Sequence, residues 1–145
     1  MKWLFACIGI ALIATSCKTA KETVKATLPL FDTKWSLKKI YEKDNEEVVN
    51  TKAFIRFDKE KNSAGGNGSC NSFGSTASVN GNEVIFKNIF STKMYCEQVQ
   101  LIENSYFGKL EKVNRFEIKD KTLVLYHNKE KLLEFLAEEQ TKSTE

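Results

Sequence analysis

The chain has 145 residues, of which 41% are hydrophobic and 28% charged, and its formal net charge is +3. This length allows one domain with a modest core. Basic and acidic side chains are interleaved, as in residues 42–52, whereas a nucleic-acid-binding domain carries a clustered basic face. Composition and charge therefore argue against a nucleic-acid partner and favour a solvated, mixed-charge surface.

The first residues have the pattern of a bacterial secretory signal. Lys2 precedes an apolar run from Trp3 to Ala14 that is too short to span a bilayer as a helix. Cys17 follows Ala-Thr-Ser, which resembles a lipobox, although Ala14 stands where that motif usually has Leu, Val or Ile. We interpret residues 1–16 as a lipoprotein signal peptide and Cys17 as the lipidated residue. The alternative is an ordinary signal peptide followed by an incidental cysteine.

Residues 17–27 contain a single bulky apolar side chain and are predicted to form a flexible tether. Several acyl chains on Cys17 would hold such a tether stably at a membrane. Lys18 follows the cysteine, whereas aspartate there is the familiar signal for retention at the inner membrane. We therefore expect a lipid-anchored envelope protein of the outer membrane, facing the periplasm or the surface, with a domain at 28–137 and a polar tail at 138–145.

Four cysteines divide into two groups. Cys7 lies in the predicted signal and Cys17 is the predicted acylation site, so Cys70 and Cys96 remain in the mature domain. A secreted protein enters a compartment in which such a pair forms a disulfide, and the alternative is two reduced, buried thiols. Zinc requires about four ligands and His127 is the only histidine, so we expect neither a metal nor another cofactor.

Short apolar alternations separated by turn residues predict seven or eight strands. The Asn80-Gly81 pair between two such runs is a strong hairpin signal. We interpret Glu42–Asn50 as a charged loop and Asp58–Gly68 as a polar, glycine-bearing turn. The predicted strands are Thr33–Tyr41, Ala53–Phe57, Ser69–Val79, Glu83–Ile89, Arg115–Lys119, Thr122–Tyr126 and Leu132–Leu136.

The periodicity changes once, between Glu97 and Val113, where apolar residues recur at intervals of three and four. This spacing predicts one helix with a single buried stripe, and we expect Glu103, Asn104 and Lys109 to face solvent. A single helix does not cover both faces of a parallel sheet. The chain is therefore predicted to be mainly β, a small antiparallel barrel or half-barrel with one packed helix.

Three groups of residues resemble the META/HslJ-like domain family over most of the mature chain, from about Leu28 to Leu136. Two departures from the usual pattern are Phe73, where the family commonly has Tyr, and Tyr95, where a small residue is usual. The residues that carry the resemblance are Trp35-Ser36-Leu37, Gly66-x-Gly68-x-Cys70-Asn71-x-Phe73-Gly74 and Thr92-x-Met94-x-Cys96.

The resemblance implies a β-rich half-barrel with a packed helix. Many members of this family are bacterial lipoproteins or secreted proteins linked to heat-shock and antibiotic-stress responses, with no settled enzymatic activity. It therefore implies a fold and a location, and no catalytic residue.

The residues themselves also provide no catalytic constellation. Ser91 or Thr92 as a nucleophile would need His127 as its base, far along the chain at a predicted turn. Asn71 could present its amide to a ligand, but asparagine at a turn more often satisfies backbone groups. The glycines at 65–68 lack the Lys-Ser/Thr of a phosphate loop, and Glu46-Glu47 lies in a charged loop that would not raise a pKa.

Three classes of function follow. The first is a non-enzymatic envelope lipoprotein that acts through contacts with an envelope protein partner, in stress or antibiotic tolerance. The second is a carrier or sensor that holds a small apolar molecule or acyl chain in the half-barrel, since most of the many aromatic residues are expected in the core but some could line a cavity. The third, an enzyme, is disfavoured, and the first is our prediction.

Overall fold

The computed structural model describes residues 28–43 and 45–138. In that part of the chain, nine antiparallel strands and one helix form a single sheet-based domain. The elements are β1 (Trp35–Glu42), β2 (Asn45–Val48), β3 (Phe54–Asp58), β4 (Ser63–Asn67), β5 (Ser72–Asn80), β6 (Glu83–Ser91), α1 (Gln100–Leu110), β7 (Arg115–Lys119), β8 (Thr122–His127) and β9 (Glu130–Ala137).

The sheet curls into a ring from β1 to β9, and β2 pairs only with β1. Its strand order is β2-β1-β3-β4-β5-β6-β7-β8-β9, and β1 also pairs with β9, which closes the ring. β6 and β7 share the single strand pair Glu83↔Arg115, the fewest between any two neighbouring strands of the ring. The predicted half-barrel with one helix is confirmed. The predicted hairpin joins β5 to β6, with Gly81 and Asn82 between the paired residues Asn80 and Glu83.

Two of the nine strands were predicted as loops, and these interpretations are wrong. β2 lies within the charged segment Glu42–Asn50, and every residue of it is exposed, so no apolar alternation marks it. β4 lies within Asp58–Gly68 and is rich in small residues. A Cβ on Gly66 would overlap the carbonyl oxygen of Phe54 on β3, so glycine is needed here because two strand backbones lie very close.

A bulge in β1 explains a burial pattern that simple alternation does not predict. The register of β1 against β9 shifts between Leu37 and Lys39. A bulge changes the face to which the following side chains point. Trp35, Leu37 and Ile40 are therefore all fully buried, although Ile40 is out of phase with the other two.

Large side chains fill the interior of the ring. The Trp35 indole donates a hydrogen bond to the carbonyl of Leu30 at 3.0 Å, and complete burial raises the pKa of Tyr106 well above its usual value. The largest fully buried apolar side chains are Trp35, Leu37, Ile40, Ile55, Phe57, Tyr106, Leu110, Leu123, Leu125, Leu133 and Phe135.

The helix is shorter than the predicted 97–113 range, because turns occupy both ends of that range. It lies near the start of β3, where the Tyr106 hydroxyl donates to the Phe54 carbonyl at 3.5 Å. The segment before β1 lies at the other end of β3. There Phe31 forms a β-bridge with Phe57, and the Asp32 N–H donates to the Phe57 carbonyl. The helix and residues 28–33 therefore contact opposite ends of one strand.

The predicted signal peptide at 1–16, the tether at 17–27 with its Cys17, and all of the tail after Glu138 lie outside the described residues. In the part of the chain that the structure describes, no helix has both the length and the apolar character needed to cross a membrane.

Candidate functional site

The two most specific motif segments lie against each other beside the helix. Cys70, just before β5, and Cys96, in the loop before α1, form the predicted disulfide, with Cα atoms 6.0 Å apart. This bond joins the β4–β5 loop to the β6–α1 loop. Residues that are more than twenty positions apart in the sequence therefore form one cluster.

Asn71 connects the two loops through hydrogen bonds. Its Oδ1 accepts from Thr92 Oγ1 at 2.8 Å and from the Met94 N–H at 2.7 Å, while its Nδ2 donates to the Met94 carbonyl at 2.9 Å. Asn71 is buried, and it forms hydrogen bonds with backbone groups, as was predicted for an asparagine at a turn. The backbone groups belong to the other loop, however, and not to its own turn.

Glu103 completes this cluster from the helix. Its Oε2 accepts from the N–H groups of Cys70 at 3.0 Å and Asn71 at 2.7 Å, and its Oε1 accepts from Asn71 Nδ2 at 2.6 Å. Only 1% of Glu103 is exposed, so the prediction that it faces solvent is wrong. The sequence contained the signal, since Glu103 follows Val99 by four residues and precedes Tyr106 by three, on the buried face.

The glycine before this cluster allows the helix to approach. A Cβ on Gly68 would lie 2.6 Å from Glu103 Oε2 and 2.5 Å from a ring carbon of Phe107. Such contacts are closer than packing permits, so a larger residue would push the helix away from the loop. Gly68 therefore allows the backbone N–H groups of Cys70 and Asn71 to reach the carboxylate of Glu103.

Lys109, also predicted to face solvent, is mostly buried as well. Its Nζ lies 3.0 Å from Glu42 Oε1 at the end of β1. The hydrogen bond from Lys109 holds the pKa of Glu42 below its usual value of 4.5. This pair ties the last turn of the helix to the first strand.

The cluster suits a structural role better than a catalytic one. Thr92 Oγ1 is engaged by Asn71, and His127 lies elsewhere, with its Nδ1 2.7 Å from the Lys112 carbonyl oxygen. The structure therefore does not bring together a nucleophile and a base from Ser91, Thr92 and His127. Across residues 28–43 and 45–138, no group of three or more His, Cys, Asp or Glu side chains could hold a metal ion.

Large apolar side chains are exposed directly beside the cluster. We call residues 90–101, from the end of β6 to the first turn of α1, the apolar segment. Phe90, Met94, Tyr95 and Leu101 within it are between 59% and 83% exposed. Most aromatic residues were expected in the core, and Phe90 departs from that expectation. Next to the segment lies an open cleft of about 280 Å³ that includes Met94, Tyr95 and Phe107 in its lining.

The chain is similar to known proteins at the level of domain and fold. The family model described as the META domain matches residues 27–140, which confirms the predicted family. One similar structure is that of a protein from Burkholderia xenovorans, solved by NMR, with a TM-score of 0.65 and 19% sequence identity. The match covers 77% of this chain and 85% of that protein. A crystal structure of a DUF4847 family protein from Bacteroides vulgatus has a TM-score of 0.52 at 14% identity, with 74% and 93% covered. No curated protein matches this chain.

Proposed function

The chain belongs to the META domain family, and we propose that it is a non-enzymatic envelope lipoprotein that acts through protein contacts. The apolar segment makes these contacts, and the protein acts in envelope stress tolerance or antibiotic tolerance. The observation that carries this proposal is the exposure of four large apolar side chains within twelve consecutive residues. Large exposed apolar side chains that form one patch mark protein interaction sites.

The residue types of the segment support a protein partner. Phe, Tyr and Met are enriched at protein interfaces, where rigid aromatic side chains supply much of the binding energy. The segment is also held in place, because the Asn71 side chain forms hydrogen bonds with the Met94 backbone and the disulfide joins Cys96 to Cys70. A preorganised surface loses less conformational entropy on binding than a mobile loop does.

The position of the segment suits a protein anchored by its N-terminus. Leu28 leads into residues that contact the end of β3, whereas α1 contacts the start of β3. Five strand residues span about 16 Å. If Cys17 carries lipid, the apolar segment lies towards the end of the domain away from the point where the tether enters.

Site-specific photocrosslinking in the intact envelope tests the contact. A photoreactive residue at Tyr95 or Leu101 should give a discrete crosslinked species, while one at Val48, which is equally exposed on β2, should not. Tyr95→Glu with Leu101→Glu should abolish the partner contact and envelope stress tolerance, while Val48→Glu leaves both unchanged. Equal crosslinking at all three positions, or tolerance unaffected by the double variant, would contradict the proposal.

The lipid anchor has a separate test. Cys17→Ser removes the thiol that would be acylated, so the variant should retain an unprocessed signal or appear in the soluble envelope fraction. Cys7→Ser, within the predicted signal, is the matched control and should fractionate with the membrane. Unchanged processing and membrane association of the Cys17 variant would show that lipidation at Cys17 is wrong.

A second candidate function, a carrier of an apolar small molecule, is favoured by a different feature. We call the cavity of about 400 Å³ at the start of the described chain the apolar groove; it includes Leu28, Pro29, Phe31 and Ala137. Because side chains fill the ring, this groove suits a ligand better than the interior does. Native mass spectrometry of protein purified from its own envelope should then show an added mass that is lost on denaturation.

A further inference from the structure

A second cavity, of about 520 Å³, lies beside the apolar groove and is cationic. We call it the cationic cleft, and its lining includes Lys34, Lys38 and Lys52 together with the single carboxylate of Glu138. Three positive charges and one negative charge leave a local balance of +2. Its size is within the usual range of small-molecule sites.

Two of the three lysines form no direct ion pair in the part of the chain that the structure describes, although the charge of Lys38 helps to lower the pKa of Glu138. Lys34 Nζ lies 2.7 Å from Glu138 Oε2 and 4.6 Å from the centre of the Phe54 ring, so its charge is compensated. Lys38 and Lys52, by contrast, form no ion pair with a described carboxylate, and both are exposed. An anionic ligand in the cleft would meet two available ammonium groups.

A serine at the edge of the cleft adds an unsatisfied polar group. Ser69 lines the cleft, and its buried Oγ has no hydrogen-bond partner among the described residues. Its backbone is also in a positive-φ conformation, at 105°, which is held by a hydrogen bond from its N–H to Asn67 Oδ1. A buried hydroxyl without a partner is costly, so an acceptor bound in the cleft within reach of Ser69 would remove that cost.

The two cavities are neighbours on the surface. Glu138 lines both of them, while Thr33 lines the apolar groove and the next residue, Lys34, lines the cationic cleft. An apolar surface thus continues into a cationic one over a few residues. A ligand with an alkyl chain and an anionic head group matches this order of surfaces.

We propose that the apolar groove and the cationic cleft together form one binding site for an anionic amphiphile. The alkyl chain lies against Leu28, Phe31 and Ala137, where its removal from water is favourable. The head group, a phosphate or an anion of similar charge, binds Lys38 and Lys52 through charge-assisted hydrogen bonds. The site deepens the carrier function proposed above and is independent of the apolar segment.

The test is an NMR titration of the purified protein with dodecyl phosphate below its micelle concentration. Amides lining both cavities should shift together. Dodecyl maltoside, which has the same chain and a neutral head, and inorganic phosphate, which has no chain, should each bind at least about tenfold more weakly, since each lacks one of the two interactions.

Matched variants separate the site from non-specific attraction to a basic surface. Lys38→Ala with Lys52→Ala should weaken dodecyl phosphate binding at least about tenfold. Lys59→Ala with Lys129→Ala, which removes the same charge from exposed positions outside the cleft, should leave it unchanged. Ser69→Ala removes only the hydroxyl, and it should weaken the binding of dodecyl phosphate about threefold to tenfold.

Equal binding of dodecyl maltoside and dodecyl phosphate, or equal weakening by the two lysine pairs, would overturn the proposal. Flotation with vesicles that contain phosphatidic acid then distinguishes a membrane lipid from a free amphiphile, since binding only to the monomeric probe indicates a free ligand. A neutral mass retained in native mass spectrometry, together with no response to dodecyl phosphate, would support the carrier function and reject the anionic site.

Discussion

At the scale of single residues, Glu103 is the side chain on which the helix and two loops depend. It is a buried carboxylate with three hydrogen bonds, all donated by Cys70 and Asn71. Without it, two backbone N–H groups and one amide N–H would lose their partner inside the protein. The cost of leaving such groups buried and unpaired exceeds the net value of the bonds themselves.

We predict that Glu103→Ala lowers the free energy of unfolding by about 3 kcal/mol or more. Glu103→Gln should cost less than Glu103→Ala, because the amide oxygen of glutamine can still accept the bonds from the two backbone N–H groups. Some cost should remain, because the NH₂ group of glutamine would face the Asn71 NH₂ group. Glu97→Ala, an exposed control beside the same helix, should change little. Urea denaturation of the three variants measures these values, and a Glu103→Ala variant as stable as the control would contradict the structural role of the cluster.

The pair of Glu42 and Lys109 predicts an effect of pH. The hydrogen bond from Lys109 lowers the pKa of Glu42 in the folded state below its usual 4.5. A lowered folded pKa means that the pair stabilises the protein above about pH 4.5, and that this contribution is lost as the pH falls through the folded pKa. Because Glu42 is mostly exposed, we expect less than about 1 kcal/mol.

Glu42→Gln should therefore reduce the loss of stability between about pH 6 and pH 3 relative to the original protein. Glu47→Gln, on the exposed strand β2, provides the control. Thermal unfolding at a series of pH values gives the comparison. The same pH dependence in the Glu42 variant as in the original protein would show that the pair does not contribute.

At the scale of elements, side-chain pattern predicted those strands that bury alternate residues and missed those that do not. β3 has Ile55 and Phe57 buried and was predicted from that alternation. β2 buries nothing and is held by pairing with β1, while β4 depends on small residues that give no hydrophobic signal. The burial of Glu103 was missed for a related reason, since a charged residue on an apolar helix face was assigned to solvent by its type.

Two glycines of different elements predict opposite effects of alanine. Nothing lies within 4 Å of a Cβ on Gly108 in α1, so Gly108→Ala should raise the free energy of unfolding by about 0.5–1 kcal/mol through helix propensity. Gly66→Ala should lower it by about 1–3 kcal/mol or more, because the Cβ would overlap the Phe54 carbonyl. Denaturant unfolding of both variants tests this, and a destabilised Gly108→Ala would contradict it.

The disulfide acts on the two loops as a unit. Cys70 and Cys96 are separated by 26 positions, and closing a loop of that length is worth about 3.5 kcal/mol in the chain-entropy model. Cys70→Ser with Cys96→Ser should lower the free energy of unfolding by about this amount, measured without reductant. Adding a reductant should destabilise the original protein but not the double variant. Thiol labelling of both residues in unfolded, unreduced protein would show instead that the bond is absent.

At the scale of the whole molecule, the fold class followed from the sequence because one helix among many short strands leaves few architectures. The identity of the two strands that close the ring did not follow. β1 and β9 are about one hundred residues apart, and they pair with a bulge in β1 that places Ile40 opposite Leu133. Such distant pairing leaves no local pattern, and the cluster of Asn71 and Glu103 was hidden for the same reason.

The ring is not equally strong around its circumference, and this predicts a gradient of hydrogen exchange. β8 and β9 share six residue pairs and β1 and β9 share five, whereas β6 and β7 share one, supported by hydrogen bonds from Val84 and Phe116 to the flanking loops. Local opening is easiest where hydrogen bonds are fewest and burial is least.

Amides of Leu125 and Leu133 should therefore exchange most slowly, near the rate set by global unfolding. Val84 and Phe116 should exchange faster, because opening the seam between β6 and β7 breaks few bonds. Native-state exchange followed by NMR measures all four, and protection of Val84 and Phe116 equal to that of Leu125 would mean that the helix and the disulfide hold the seam as firmly as the sheet itself.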